Sequence, residues 1–279
     1  MSATQEINNF SFDSFGLIII DECHHTETDK RYKNALDNLE YRLCLGLTAT
    51  PPPKSLIFGA LDKIYEMTIF EAWKDGWLMC PELHTLELDF DKKAIKDALT
   101  GSKPWRDDDI EEAFLAHTAE NFELLYKVAL ELNNCEKTVI YFPTIKLADQ
   151  FSEFCSVRGV ICYSFTSKTK PKLRKQYLQD FENRRDIMLA NVLCLSEGID
   201  LPSMETIIIA RPTENVNLYK QIAGRVLRTC PGKQVCKICD CVATQGNMLF
   251  QHTFLTAYCA PEDCFIDGIK FSLDDTINL

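Results

Sequence analysis

The feature that most limits the possible folds is a repeated order of short apolar strands and amphipathic helices in the second half of the chain. Hydrophobic periodicity predicts a strand over Thr138–Phe142, a helix over Ile145–Val157, a strand over Gly159–Ser164 and a helix over Lys170–Asn183. Strands over Asp186–Ala190 and Glu205–Ala210, a helix over Asn215–Thr229 and a last strand over Gln234–Cys241 complete the series. Strands that are apolar throughout, rather than alternating, need cover on both faces, and helices between parallel strands supply it. The expectation is an α/β fold with a doubly wound parallel sheet.

The first half shows the same grammar less completely. Phe15–Ile20 is a continuous apolar, β-branched run that stops at Asp21-Glu22. A second run, Leu43–Leu47, is ended by Thr48-Ala49-Thr50 and three prolines, which cannot join a ladder. Between them Arg31–Tyr41 reads as a helix with Tyr32, Ala35, Leu36 and Leu39 on one face. Residues 54–95 are mixed and end in an alternating stretch, Leu83–Phe90, expected to be an extended crossing strand. Asp107–Asn133 reads as a helix with an acidic start. This organisation predicts a first domain over residues 1–95, a second over 96–245 and an extension over 246–279.

Composition narrows the setting. With 46% hydrophobic residues among 279, the chain can bury one large core or two modest ones. No apolar run approaches the length of a membrane span and the N-terminus lacks a signal-peptide pattern, so a cytoplasmic protein without a membrane partner is expected. The 13 cysteines accordingly read as mostly reduced thiols. The net charge of −11 is uneven: residues 1–134 carry 13 Lys/Arg against 25 Asp/Glu, whereas 135–279 carry 17 against 16. The second half includes a basic cluster, Lys168, Lys170, Lys172, Arg174 and Lys175, which can meet phosphates or be a solvated helix start.

Two strings carry the chemistry. Asp21 and Glu22 follow directly on a buried strand, so their carboxylates stand at the carboxyl edge of a parallel sheet, where open α/β folds bind ligands. An aspartate there can hold Mg2+, and a neighbouring glutamate can orient or deprotonate the water that attacks a γ-phosphate. An isolated Asp-Glu pair is ordinarily a surface turn, and only its context argues otherwise. His24 stands where it can contact the Thr48–Thr50 loop; Cys23, His24 and His25 are too closely spaced for a zinc site. Near the other end, Gln221, Arg225 and Arg228 are spaced to project from one face of the predicted helix, where both arginines reach a phosphate chain. Isolated helical arginines usually form a solvated face, but Gly224, which weakens the helix and admits a second backbone, argues against that here. Cys236, Cys239 and Cys241 fall within one strand and cannot all point at one ion, which leaves Cys259 and Cys264 as the candidate zinc pair.

Asp21-Glu22-Cys23-His24 followed by Leu47-Thr48-Ala49-Thr50-Pro51 resembles the DEAD/DEAH-box helicases of superfamily 2. Val139–Phe142 resembles the strand that opens that family's second RecA-like domain, Asn191–Pro202 its fifth motif and Gln221–Arg228 its sixth. Within the superfamily, Asp-Glu-Cys-His-His, Trp73–Leu78 and Asp240–His252 are similar to the branch of restriction-enzyme motor subunits and the bacterial RadD helicase. The resemblance implies tandem RecA-like domains that close on ATP and Mg2+, with Arg228 as the finger on the γ-phosphate, Arg225 supporting it and Gln221 one turn earlier. It further implies that Gly198 and Asp200 contact the nucleotide and the nucleic-acid backbone, that Ser196 bonds a backbone phosphate, and that His24, Thr48 and Thr50 link hydrolysis to movement on nucleic acid, DNA rather than RNA.

No Gly-Lys-Ser or Gly-Lys-Thr precedes Asp21, so the family's phosphate loop is missing and the first domain is expected to be incomplete at its N-terminus. A second polypeptide carrying that loop, or a missing N-terminal segment of the same chain, is expected to supply it; the competing expectation is a non-catalytic nucleic-acid or protein adaptor that keeps the motor's second domain as a scaffold.

Overall fold

The computed structural model describes residues 15–23, 40–49, 64–88, 111, 113–115, 117–195, 199–211, 215–242, 244–245, 248–249, 253–258, 265–266 and 269–270. The chain divides into two compact units, Met1–Met67 and Thr68–Leu279.

In the first unit β1 (Phe15–Ile20) pairs in parallel with β2 (Tyr41–Gly46), with Leu17 opposite Leu43 and Ile19 opposite Leu45. Tyr41, expected to end a helix, instead opens β2. Side chains of aligned residues share a face, and here Leu17, Ile19 and Leu43 stand exposed, Leu43 at 66%.

The second unit is built on six strands. β3 (Glu82–Glu87), β4 (Thr138–Tyr141), β5 (Ile161–Phe165), β6 (Ile187–Asn191), β7 (Thr206–Ile209) and β8 (Lys237–Val242) form one parallel sheet in the order β3-β8-β7-β4-β6-β5. One face carries α2 (Thr118–Asn133) and α3 (Ile145–Val157), whose Phe122, Leu125 and Phe151 pack on Ile140, Met188 and Ile208. The opposite face carries α1 (Ile69–Lys74), α4 (Pro171–Asn183), α5 (Val216–Val226) and α6 (Phe254–Tyr258), which cover Val139, Leu189 and Ile207 with Phe181, Tyr219, Ile222 and Phe254. Both faces are therefore dry, as the apolar strands require.

Local chemistry starts the helices where they start. Thr68 and Glu71 form a reciprocal capping box on α1, with Glu71 N–H donating to Thr68 Oγ1 (3.2 Å) and Thr68 N–H to Glu71 Oε2 (2.7 Å). Asn215 caps α5 by accepting from the N–H groups of Asn217 (3.0 Å) and Leu218 (3.1 Å). Pro171 opens α4 with its φ already helical.

Three expectations need correction. The domain boundary expected after residue 95 lies at Thr68, because the crossing strand, found over Glu82–Glu87, pairs with β8 in register from Glu82–Lys237 to Glu87–Val242. The long helix expected to run unbroken to Asn133 has its cap at His117, whose N–H donates to Phe114 O. The helix expected over Asn215–Thr229 ends at Val226, which changes how Arg228 is held.

Candidate nucleotide and nucleic-acid site

In the first unit the end of β1 is clipped to the end of β2. Leu47 N–H donates to Ile20 O (2.8 Å) and Cys23 N–H to Leu47 O (3.0 Å), which sets the Asp21-Glu22 turn beside Thr48. Glu22 adopts a left-handed backbone (φ 49°), and its N–H donates to Asp21 Oδ1 (3.0 Å). Both carboxylates remain exposed while Cys23 turns inward, where burial pushes its thiol up. A protonated, buried thiol is an inert packing group.

In the second unit Arg225 and Arg228 lie at and just beyond the end of α5, on the path to the start of β8, and meet the segment that leads into β7. Arg225, on the last turn of α5, donates through Nη1 to the carbonyl of Ile199, and Arg228 pairs through Nη1 with Asp200 Oδ1. The two arginines thus meet adjacent residues of one loop, but not from one helix face. Arg228 lies beyond α5 in an antiparallel bridge with Leu78, and Met79 N–H donates to the preceding Leu227 O (2.8 Å). Lys233 closes the turn from the other side: its ammonium binds the carbonyls of Val226 and Arg228, the latter at 2.9 Å. These are the last carbonyls of a helix, which a cation satisfies. Gln221 is half-buried one turn before Arg225, and the next residue, Ile222, is buried against the sheet.

Beneath this layer Tyr141 and Asn191 end β4 and β6 side by side in register, both fully buried. Burial pushes the Tyr141 hydroxyl well above its ordinary range, opposed by the nearby Arg225 guanidinium. His24, Thr50, Ser196, Gly198, Cys259 and Cys264 lie outside the described residues.

Comparison with known proteins narrows the family. The family described as helicase conserved C-terminal domain matches residues 120–230, and that described as the res subunit of type III restriction enzymes matches residues 1–53. The Saccharomyces cerevisiae protein named as ATP-dependent helicase IRC3 is 26% identical over 257 residues, 87% of this chain and 36% of the relative. Among solved structures, a fragment assigned as an HsdR subunit of a type I restriction enzyme from Vibrio vulnificus YJ016 aligns with a TM-score of 0.62 at 22% identity, over 91% of this chain and 46% of that one. The ATP-dependent type ISP restriction-modification enzyme LlaBIII bound to DNA aligns with a TM-score of 0.57 at 17% identity, over 91% of this chain and 20% of that one. These matches support a superfamily 2 helicase of restriction-motor type. The chain's fold is that of the tandem RecA-like helicases, and it spans only about a third to a half of the length of most relatives it matches.

The donor sets fit a magnesium-bound triphosphate. Two exposed carboxylates and the neighbouring Thr48 are hard oxygen donors suited to Mg2+, and two guanidinium groups that meet one segment suit a phosphate chain. Among the described residues no group of three or more His, Cys, Asp or Glu is placed to hold a metal ion. Burial pushes Cys236 to about 12 and also raises Cys241, as expected of packing thiols. No described helix is long and apolar enough to cross a membrane.

Sequence reading missed the supports: Tyr141, Asn191, Lys233 and Asp240. Tyr141 sat inside an expected apolar strand, and Asn191 opened the string that resembles the family's fifth motif, without a role of its own.

Proposed function

We propose that this chain is the motor part of an ATP-driven DNA helicase or translocase, each compact unit supplying one half of what ATP hydrolysis requires. The observation that carries the reading is the convergence of Arg225 and Arg228 on Ile199 and Asp200, adjacent residues of one segment. A pair of arginines kept for solubility has no need of a capped helix, a backbone bridge and a lysine clamp.

Bound Mg2+ neutralises phosphate charge and orients the phosphate oxygens. Asp21 would hold the ion. Glu22 would orient the attacking water and take its proton. Arg228, exchanging Asp200 for phosphate, would stabilise negative charge on the transferring phosphoryl group, with Arg225 and Gln221 holding it in place. Thr48, Thr50 and His24 would pass the state of hydrolysis to the nucleic-acid track. Gly198 and Asp200 would line the nucleotide and backbone contacts, and Ser196 would bond a backbone phosphate. DNA is favoured over RNA because the restriction enzymes similar to this chain include one seen bound to DNA.

We assign the phosphate loop to a polypeptide segment outside residues 1–279, on a separate chain or N-terminal to them. The exposed Leu17, Ile19 and Leu43 on one face of a two-stranded parallel sheet support this, since such strands are stable when covered. The test is DNA-stimulated ATP hydrolysis by the chain with and without a polypeptide bearing Gly-Lys-Ser or Gly-Lys-Thr. Hydrolysis only in the mixture is expected; equal hydrolysis in both contradicts the composite motor, and none in either favours the non-catalytic adaptor.

A further inference from the structure

The arginine-bearing helix α5 is fixed to the rest of its unit by a carboxyl group in an unusual place. Asp240 lies in the middle of β8, 5% exposed, between Cys239 and Cys241 and opposite Ile209 of β7 and Thr85 of β3. Tyr219, on the first turn of α5, places its hydroxyl 2.8 Å from Asp240 Oδ1 and 3.0 Å from Oδ2. The backbone N–H of Phe254, first residue of α6, donates to Asp240 Oδ2 (2.9 Å). One carboxyl therefore holds two segments far apart in sequence.

The contacts around it make the two segments one packed body. Phe254 stacks on Trp73 of α1 (5.9 Å between centroids) and packs on Tyr258 (4.7 Å), and Tyr258 donates to Lys220 O on α5 (3.1 Å). A Cβ at Gly224 would make only an ordinary contact with Tyr258 Oη (3.9 Å), so this approach does not itself require the glycine. The titratable or charged groups near Asp240 are Tyr219 and Lys220 from α5, Tyr258 from α6, and Cys239 and Cys241 from β8. Lys220 directs its ammonium over the Tyr258 ring (5.3 Å) rather than toward the carboxyl. Among the described residues no cation is paired with Asp240.

A buried carboxylate without a cation is costly. Tyr219 Oη donates to Oδ1 and Phe254 N–H to Oδ2, two bonds that favour the carboxylate, while burial of the group favours the neutral acid. Burial accordingly pushes the Asp240 carboxyl up to about 7, opposed by the Phe254 and Tyr219 hydrogen bonds.

We propose that Asp240 is a positioning residue that, as a neutral acid, pins α5 to residues 253–258, and that its ionisation loosens both segments together. Asp240 touches no nucleotide in this account; it acts on Gln221 and Arg225 through the helix that carries them. Because the affinity for the proton is raised in the folded state, the pin contributes most at low pH and weakens as pH rises from the ordinary carboxyl range through about 7. The proposal does not depend on ATP hydrolysis by this chain.

The test is hydrogen exchange of the full chain followed by mass spectrometry at pH 6 and pH 8, on peptides covering 216–226 and 254–258. After correction for the chemical exchange rate, opening of both segments in the natural protein should rise together by about tenfold from pH 6 to pH 8. Asp240→Asn keeps the shape without the titration and should remove that rise. Tyr219→Phe should speed exchange in 254–258 already at pH 6. No pH response in the natural protein, a response in only one segment, or an unchanged response in Asp240→Asn overturns the proposal. If Asp240→Asn does not fold, the joint response of the natural protein decides alone.

Discussion

Leu43 in β2 and Val139 in β4 are both aliphatic residues of parallel strands, yet Leu43 is 66% exposed and Val139 fully buried. The difference is cover. β4 lies between β7 and β6 in a six-stranded sheet with helices on both faces, whereas β2 has one described partner strand. An apolar strand reports what it needs packed on it, and what the fold supplies is a separate matter. The second unit supplies it from its own residues; among the described residues of the first, Leu17, Ile19 and Leu43 stay exposed.

Several substitutions break or sharpen that contrast. The largest effect belongs to chemistry. Arg228→Ala, in the presence of the phosphate-loop polypeptide, should lower kcat for DNA-stimulated ATP hydrolysis by about a thousandfold, as loss of an arginine finger does, while the melting temperature changes little. A large drop in melting temperature would instead make Arg228 a structural residue. Next is packing. Phe151→Ala in α3 should cost the second unit about 3–5 kcal/mol in denaturant unfolding, because Phe151 is fully buried among Phe122, Phe142 and Phe154. Leu43→Ala should change stability of the isolated chain by less than about 0.5 kcal/mol. If the two cost the same, the first unit is covered after all. The smallest effect is local: Asn215→Ala should cost about 1 kcal/mol by removing the α5 cap, read as a lower unfolding midpoint.

Much of this was legible in the sequence, and the reasons are specific. β4, β6 and β7 are nearly pure apolar runs, and such runs have few homes other than a doubly covered parallel sheet. Asp21-Glu22 and Arg225 through Arg228 were legible through the strings around them, since alone they read as a surface turn and a solvated helix face. The pairing of β3 with β8 was not, since parallel partners far apart in sequence leave no local signal beyond their own alternation. Nor was the end of α5: Leu227 and Arg228 continue the helical spacing, and only Leu78, Met79 and Lys233 pull the backbone away. The burial of Asp240 was not legible either, because it is decided by Tyr219 and Phe254, neither of them adjacent in sequence.

The central claim is that the carboxylates of the first unit and the arginines of the second act in one hydrolytic reaction. Its most direct measurement is a double-mutant comparison of Glu22→Gln, Arg228→Ala and the two combined, reading kcat for DNA-stimulated ATP hydrolysis with the phosphate-loop polypeptide present. Residues acting as a unit are strongly non-additive, so each single change should cost about a thousandfold and the combination little more than the worse of the two. Hydrolysis that survives either single substitution, or losses that simply multiply, contradicts the account.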